Sequence, residues 1–386
     1  MPSCPLCRHA DFLQVLHHPK AMTSANRLYE TRDEALRAPA GVLHILFCRA
    51  CGFVFNAAFD VSLVPYGDHY ENNQSNSGLF LAHMKDMASR VRAAIGDAPL
   101  RAVEIGCGQG HFLRLLGETS ACGEDLVAGF DPSYTGADTP QSHIYKEFFG
   151  KETLERLSFR PNAVVSRHVI EHIQNPPDLL NAVKDALALA PEARVFFETP
   201  CIDWIFRNNA FWDLCYEHCS YFTAETLAYA FRHAGFSPLN VSSVFGGQYL
   251  WIEAAVAPRA ENQTSAPNEE NVRAFSAAVT AHLEKWRAAL SALSARGEKV
   301  AVWGASTKGA TFVQETDPEA AFVHCLIDIN PLKQNRHIPI TGHRVAEWQT
   351  ALADGVSTIV LTNPNYTDEI KSMLGDRARN ISFLSL

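Results

Sequence analysis

The sequence has no hydrophobic run close to the roughly 18 apolar residues that a membrane-spanning helix needs. Its first residues show no basic stretch followed by an apolar core, so we expect no secretory signal and a cytoplasmic location. Only 19% of the residues are charged, the net charge is −9, and no Lys/Arg-rich stretch occurs. These features argue against nucleic acid and anionic membranes as partners.

The sequence also lacks low-complexity tracts, and its 47% hydrophobic content is that of a folded globular protein. A length of 386 residues predicts two or three domains. Apolar spacing predicts helices over Leu79–Ile95 and Val272–Ala295. The polar stretch Pro258–Asn271 between them has no apolar periodicity and is interpreted as a linker.

Four of the ten cysteines form two tight pairs, Cys4 with Cys7 and Cys48 with Cys51. Each C-x-x-C turn can present two thiolates to one ion, and two such turns complete the four-sulfur shell that structural Zn²⁺ favours. The alternative is that one pair is redox-active or incidental. A closed shell leaves no open position on the ion, so we expect the zinc to fold this small module and not to act as a Lewis-acid catalyst.

Two units of the chain share a strand, a glycine turn and a helix start, at residues 102–113 and 300–311. In each unit a second strand follows and ends in an aspartate, Asp131 or Asp328. This arrangement is typical of βαβ nucleotide-binding units. We therefore expect two Rossmann-like α/β domains behind the cysteine module.

The first glycine loop has the spacing G-x-G-x-G at Gly106, Gly108 and Gly110, with Glu104 in the strand before it. Glycines at these positions allow a sharp turn and a close approach to a ligand, and Asp131 could accept hydrogen bonds from ribose hydroxyls. The string resembles motif I of class I methyltransferases that use S-adenosylmethionine (SAM). An NAD-binding loop, with G-x-G-x-x-G spacing, is the alternative.

The next predicted strand, residues 163–166, leads into Arg167 and His168. Because ligands bind at the carboxyl ends of such strands, we expect these two side chains to face the ligand crevice. Glu171 and His172 follow just beyond, where capping or core packing is an equally good interpretation for His172.

An acid–base candidate stands at Glu217-His218, within an aromatic-rich stretch. Histidine is suited to removing a proton near neutral pH, and burial and a carboxylate neighbour shift its pKa in opposite directions. The alternative is that His218 caps the following helix or fills the core.

Taken together, these strings resemble the NDP-sugar C-methyltransferases of deoxysugar pathways, the group that includes tetronitrose C-3′-methyltransferases. The resemblance spans the whole chain. It rests on the two C-x-x-C pairs, on Tyr66, Tyr70, Gln74, Ser77 and His83, and on VEIGCGQGHFL (103–113), SRHVIEHIQNP (166–176), EHCSYF (217–222), FGGQY (245–249) and WGASTKG (303–309).

The resemblance implies a zinc-binding domain at 1–65, a SAM-binding methyltransferase domain at 66–258 and a C-terminal Rossmann-like substrate domain at 259–386. It implies a 4-keto sugar nucleotide as small-molecule substrate, deprotonated at C3 and methylated as its enolate. The implied catalytic residues are His218, Glu217, Tyr70 and Tyr216. The implied SAM-binding residues are Tyr66, Gln74, Glu104, Gly106, Gly108, Gly110, Asp131, Pro132 and His168. We expect a monomer or a weak homo-oligomer.

The second glycine loop, with Gly304, Lys308 and Gly309, would lie near the nucleotide diphosphate, although a tight turn in a degenerate Rossmann domain remains an alternative. One departure concerns the base segment. Family members often have Tyr-His-Glu-His there, whereas this chain has Cys215-Tyr216-Glu217-His218. Either Tyr216 covers part of the missing role or the substrate differs. The competing functions are O- or N-methylation of another small molecule, and an RNA-binding role without catalysis.

Overall fold

The structure is a computed structural model, and it describes residues 2–64, 76–119, 123–136, 142–258 and 268–386. The strands are β1 (Phe12–Met22), β2 (Ala40–Cys48), β3 (Val54–Asn56), β4 (Arg101–Ile105), β5 (Leu126–Phe130), β6 (Ser142–Tyr145), β7 (Ala163–Arg167), β8 (Arg194–Pro200), β9 (Ser220–Tyr221), β10 (Phe236–Val244), β11 (Tyr249–Val256), β12 (Lys299–Trp303), β13 (Val323–Ile327), β14 (Val345–Ala346), β15 (Val356–Leu361) and β16 (Ser382–Ser385). The helices are α1 (Arg32–Leu36), α2 (Gly78–Ile95), α3 (His111–Glu118), α4 (Lys151–Glu155), α5 (Pro176–Ala186), α6 (Ile202–Arg207), α7 (Ala224–Ala234), α8 (Glu269–Ala295), α9 (Thr307–Thr316), α10 (Trp348–Ala353) and α11 (Thr367–Leu374).

The central sheet has the strand order β10-β11-β8-β7-β4-β5-β6, and β11 runs opposite in direction to the other six strands. The strands β4, β7 and β8 next to the middle are buried over nearly their whole length, as expected where helices cover both faces of a parallel sheet. The order reverses beside β4, so a crevice opens there at the carboxyl ends of the strands. This confirms the expected class I methyltransferase fold.

The C-terminal sheet is entirely parallel, with the order β14-β13-β12-β15-β16. Strands and helices alternate along this part of the chain, as the second glycine unit predicts. The expected Rossmann-like fold of the C-terminal domain is therefore confirmed. Helix α8 leads into this sheet and matches the expected helix over 272–295. Most of the expected linker, residues 259–267, lies outside the described residues.

The N-terminal residues 2–64, called the N-terminal module below, contribute β1, β2 and β3 to the antiparallel sheet β1-β2-β3-β9. The fourth strand of this sheet comes from far along the chain and begins two residues after His218. The module is therefore joined directly to the segment that carries His218, a contact that the sequence analysis did not predict. Backbone pairing between distant segments leaves no periodic signal in either segment, so local sequence patterns could not reveal it.

One hydrophobic cluster joins the three parts. It includes Ile45 of the module, Trp212 before the base segment, and Val302 of the C-terminal sheet, each at most 1% exposed. Burial of a large apolar side chain contributes about 1.5–3 kcal/mol. Shared burial of this kind fixes the parts against one another and thereby defines the cavity between them.

Among the described residues, none of the helices combines the length and the apolar character that crossing a membrane requires.

Candidate active site

The four paired cysteines converge in the N-terminal module. The Sγ atoms of Cys4 and Cys51 lie 3.6 Å apart, and those of Cys7 and Cys48 lie 3.5 Å apart. All four sulfurs fall within 4.8 Å of one another. The donor set and spacing fit a closed tetrahedral zinc site.

The glycine loop after β4 is held by one carboxylate. Asp131 Oδ2 accepts a 2.7 Å hydrogen bond from the N–H of Gly108, and its Oδ1 accepts from the N–H and hydroxyl of Ser133. Gly108 has φ +53°, and a Cβ there would meet no atom within 4 Å. The loop is therefore an open cradle of the kind that a nucleoside cofactor fits.

The flanking glycines are needed for close packing. A Cβ on Gly106 would lie 2.2 Å from the side chain of Val169, and one on Gly110 would lie 2.5 Å from Ile144. Both residues also have positive φ, which favours glycine. These local features explain why the sequence motif predicted a tight glycine turn here.

Glu104 lies behind the loop in β4 and is 2% exposed. Its Oε2 has no hydrogen-bond partner, and burial raises the pKa of Glu104 to about 8 despite the opposing charge of Arg167. At neutral pH this carboxyl group is therefore largely protonated and can donate a hydrogen bond.

A cavity opens between the central and C-terminal sheets. From the central domain it is lined by His168, Glu171, His172, Glu217, His218, Gln248 and Tyr249, and from the C-terminal domain by Gly304, Ser306, Thr307, Lys308, Gly309, Asp328, Asn330 and Asn363. The glycine loop after β4, including Asp131 and Pro132, does not line it. His168 directly follows β7, which pairs with β4, the strand that precedes the glycine loop.

A charged network supports this cavity. Glu198 is fully buried and accepts from Arg167 Nε at 3.1 Å, from His83 Nε2 at 2.9 Å and from His168 Nε2 at 3.2 Å. Burial opposes ionisation, but the charge of Arg167 and these hydrogen bonds hold the pKa of Glu198 well below its usual value. Burial alone would lower the pKa of His168, yet Glu171 and Glu198 together raise it to about 9. His168 is therefore a cation at neutral pH.

Glu171 and His172 lie on a 3-10 turn, Ile170–His172, directly behind His218. The ligand atoms of the three side chains fall within 4.8 Å of one another. That spacing is also compatible with a divalent ion. The oxygens of Glu171 already interact with Thr199 Oγ1 at 3.1 Å and His168 Nδ1 at 3.3 Å.

His218 is neutral at physiological pH. Burial first, and then the charge of His172, lower the pKa of His218 to about 3. Its Nδ1 is buried without a hydrogen-bond partner. His172 Nδ1 lies 3.0 Å from the carbonyl of Glu217, which can only accept, so that nitrogen carries the proton.

The two residues before His218 differ in placement. Glu217 lines the cavity, and its Oε1 accepts a 2.7 Å hydrogen bond from the N–H of Ala25. Tyr216 is 1% exposed and does not line the cavity. Its hydroxyl instead bonds to the backbone of Asp60. The interpretation of Tyr216 as a catalytic residue therefore has no support in the geometry.

The C-terminal glycine loop lies at the far side of the cavity. A Cβ on Gly309 would meet the carbonyl oxygen of Gly304 at 1.8 Å, so helix α9 begins in close contact with the preceding turn. The Asp328 carboxylate accepts from the N–H groups of Ala305 and Asn330 and thus fixes the loop. Three consecutive residues of the first turn, 307–309, line the cavity.

Two pairs across the domain boundary were missed by sequence reasoning. Lys308 forms an ion pair with Asp213, and the side-chain amides of Gln248 and Asn363 bond to each other at 2.7 and 3.0 Å. Each partner lies in a different domain, so no local pattern signals it. Tyr66, Tyr70 and Gln74 lie outside the described residues, and their roles remain predictions.

Two protein families match separate parts of this chain. Residues 80–241 match the family described as Methyltransferase domain, and residues 253–382 match the family described as C-methyltransferase C-terminal domain. The chain is accordingly a SAM-dependent methyltransferase that carries a C-methyltransferase C-terminal domain.

A relative with a similar overall length is the C-methyltransferase NovU of Streptomyces niveus. It is 26% identical over 391 residues, which cover 95% of this chain and 90% of NovU. Among solved structures, the dimethyltransferase RosA of Streptomyces davawensis has a TM-score of 0.37 and 19% identity over 46% of this chain and 55% of its own. A SAM-dependent methyltransferase of Mesorhizobium loti has a TM-score of 0.34 and 17% identity over 46% of this chain and 100% of its own.

Proposed function

We propose that this methyltransferase transfers a methyl group to C3 of a 4-keto sugar nucleotide. The observation that carries the proposal is the single cavity that has acid–base side chains on one wall and a glycine loop with a helix N-terminus on the other. The similarity to NovU over nearly the whole chain supports carbon as the methyl acceptor. We also propose the domain limits 1–65, 66–258 and 259–386.

The C-terminal wall suits the diphosphate of such a substrate. The first turn of α9 lines the cavity, and no side chain caps its backbone N–H groups at Ser306. Helix N-termini favour anions, and Lys308 adds a positive charge beside them. The ion pair of Lys308 with Asp213 would orient the ammonium group across the domain boundary.

The central wall suits proton removal at the sugar. A carbonyl at C4 makes the C3 proton acidic, and neutral His218 can accept that proton while the C3–H electron pair becomes the enolate. When bound, SAM would supply an electrophilic methyl group, and the enolate carbon would form its C3–CH₃ bond as the S–CH₃ bond breaks. The carboxylate of Glu171 would stabilise the imidazolium form of His218 once the proton has moved.

We further propose that the cysteine cluster holds a structural Zn²⁺ ion. The support is the four-sulfur donor set and the Sγ spacing of the cluster. In such a site, Cys4, Cys7, Cys48 and Cys51 would all be ligands, and no position would remain for substrate.

Incubation with a panel of 4-keto sugar nucleotides in D₂O tests the reaction. We expect deuterium at C3 in unmethylated substrate and a new C–CH₃ group in the product when SAM is added. A His218→Asn variant, which keeps a polar group of similar size, should catalyse neither step. Methylation of an oxygen or nitrogen, with the C3 hydrogen retained, would contradict the proposal in favour of O- or N-methylation.

A further inference from the structure

The segment that carries His218, residues 215–222, is built into the sheet of the N-terminal module. In the pairing of β9 with β3, Tyr221 lies opposite Val54 and Ser220 lies opposite Phe55. The N–H of Asn56 also donates a 3.0 Å hydrogen bond to the carbonyl of Cys219. Since β3 begins three residues after Cys51, this backbone pairing lies close along the chain to the cysteine cluster.

Tyr216 makes a second connection on the other side of His218. Its hydroxyl accepts a 2.8 Å hydrogen bond from the Asp60 N–H and donates a 3.3 Å bond to the Asp60 carbonyl. The ring packs against Phe59, with centroids 5.4 Å apart. A Cβ on Gly41 would lie 2.3 Å from the same ring, so β2 approaches it as closely as only glycine allows.

The remaining contacts fix the neighbours of His218 from both directions. Glu217 Oε1 accepts from the N–H of Ala25 at 2.7 Å. Ser220 Oγ donates to the Ile173 carbonyl at 2.7 Å, which ties β9 to the turn that carries Glu171. Both neighbours of His218 are thus bound to their surroundings, while its own imidazole faces the cavity.

We infer that the N-terminal module positions the imidazole of His218 in the cavity, with Tyr216 as a positioning residue that acts through the backbone of Asp60. Anchoring on both sides limits the backbone freedom of the segment, and misplacement of a reacting group by about 1 Å can cost about a hundredfold in rate. The structural coupling is independent of the substrate, whereas its catalytic consequence rests on the proposed function.

The first test is Tyr216→Phe, which removes the hydroxyl and keeps the ring. We expect faster hydrogen exchange at the amides of 215–222 and a kcat lower by about 10- to 100-fold. KM and the affinity for S-adenosylhomocysteine should change less than about twofold. A fall in kcat at nearly constant KM distinguishes a positioning role from a role in substrate binding.

A matched control is Thr316→Val, which removes a buried hydroxyl bonded to the Phe312 carbonyl at 2.7 Å in the C-terminal domain. It should lower the melting temperature without changing kcat or exchange at 215–222. If Tyr216→Phe behaves in the same way, Tyr216 is merely structural and the inference is overturned.

The second test acts on the cysteine cluster, by chelation or by Cys7→Ser, and follows hydrogen exchange alone. We expect peptides 2–22, 40–56 and 215–222 to lose protection together, while the glycine-loop peptide 104–113 keeps it. Protection retained at 215–222 when the module has lost its own would refute the coupling. If the glycine loop also loses protection, the protein has unfolded globally. The result for Tyr216→Phe then decides whether the module positions the segment 215–222.

Failure of the proposed reaction is distinguishable from failure of this inference. Absence of methyl transfer to every 4-keto sugar nucleotide would remove the kcat readout, but the exchange measurements on the whole chain would still decide whether the module holds the segment.

Discussion

His218 packs edge to face against His172, with ring centroids 4.9 Å apart and an interplanar angle of 82°. Burial is the main cause that lowers the pKa of His218, and the neighbouring His172 lowers it further, so His218 stays neutral. A neutral imidazole can accept a proton throughout the physiological pH range. The nearby carboxylate of Glu171 offsets the charge that His218 gains on accepting it.

Replacement of His218 by alanine should abolish methyl transfer and leave cofactor binding intact. General-base catalysis contributes about 10²- to 10⁴-fold, so we expect kcat to fall by at least about a hundredfold. The dissociation constant of S-adenosylhomocysteine, measured by calorimetry, should change less than about threefold because the glycine loop is untouched. A comparable loss of cofactor affinity would show that His218 is structural.

Glu104 makes stability depend on pH. Because burial raises the pKa of Glu104 to about 8, the unfolded chain loses this proton from about pH 4.5 upward while the folded protein keeps it. Stability of the cofactor-free protein should therefore fall as pH rises from about 4.5 to 8. Glu104→Gln removes this titration, so its melting temperature should gain about 5 °C relative to the wild type across that window.

The surface substitution Glu118→Gln, at the exposed end of α3, is the control for Glu104. Its melting curve should follow the wild type at every pH. Parallel curves for Glu104→Gln and the wild type would mean that Glu104 does not hold a proton in the folded state.

Local patterns predicted much of the fold and part of the site. The strand, glycines and following aspartate of residues 102–131 all act on the same turn, so their sequence alone predicted the tight glycine turn. The helices α2 and α8 were predicted by apolar spacing. What could not be predicted are contacts between distant segments, namely β3 with β9, Tyr216 with Asp60, and Lys308 with Asp213.

Lys308 should affect substrate affinity more than turnover. In Lys308→Met the positive charge beside the α9 N-terminus is lost, and we expect KM for the sugar nucleotide to rise roughly tenfold with a smaller change in kcat. The exposed Lys299 offers a matched control, since Lys299→Met removes the same charge outside the cavity. An unchanged KM for Lys308→Met would place the diphosphate elsewhere.

Asp131 should determine cofactor affinity through the shape of the glycine loop. Its carboxylate holds the Gly108 N–H at 2.7 Å, and hydrogen bonds to charged groups contribute about 1.5–3 kcal/mol. Asp131→Asn should therefore weaken binding of S-adenosylhomocysteine by roughly 10- to 100-fold in calorimetric titrations. Ser133→Ala, which removes only the hydroxyl that donates to Asp131 Oδ1, should weaken binding much less. Equal effects of the two substitutions would mean that the turn at Ser133, and not the bond to Gly108, sets the geometry of the cofactor loop.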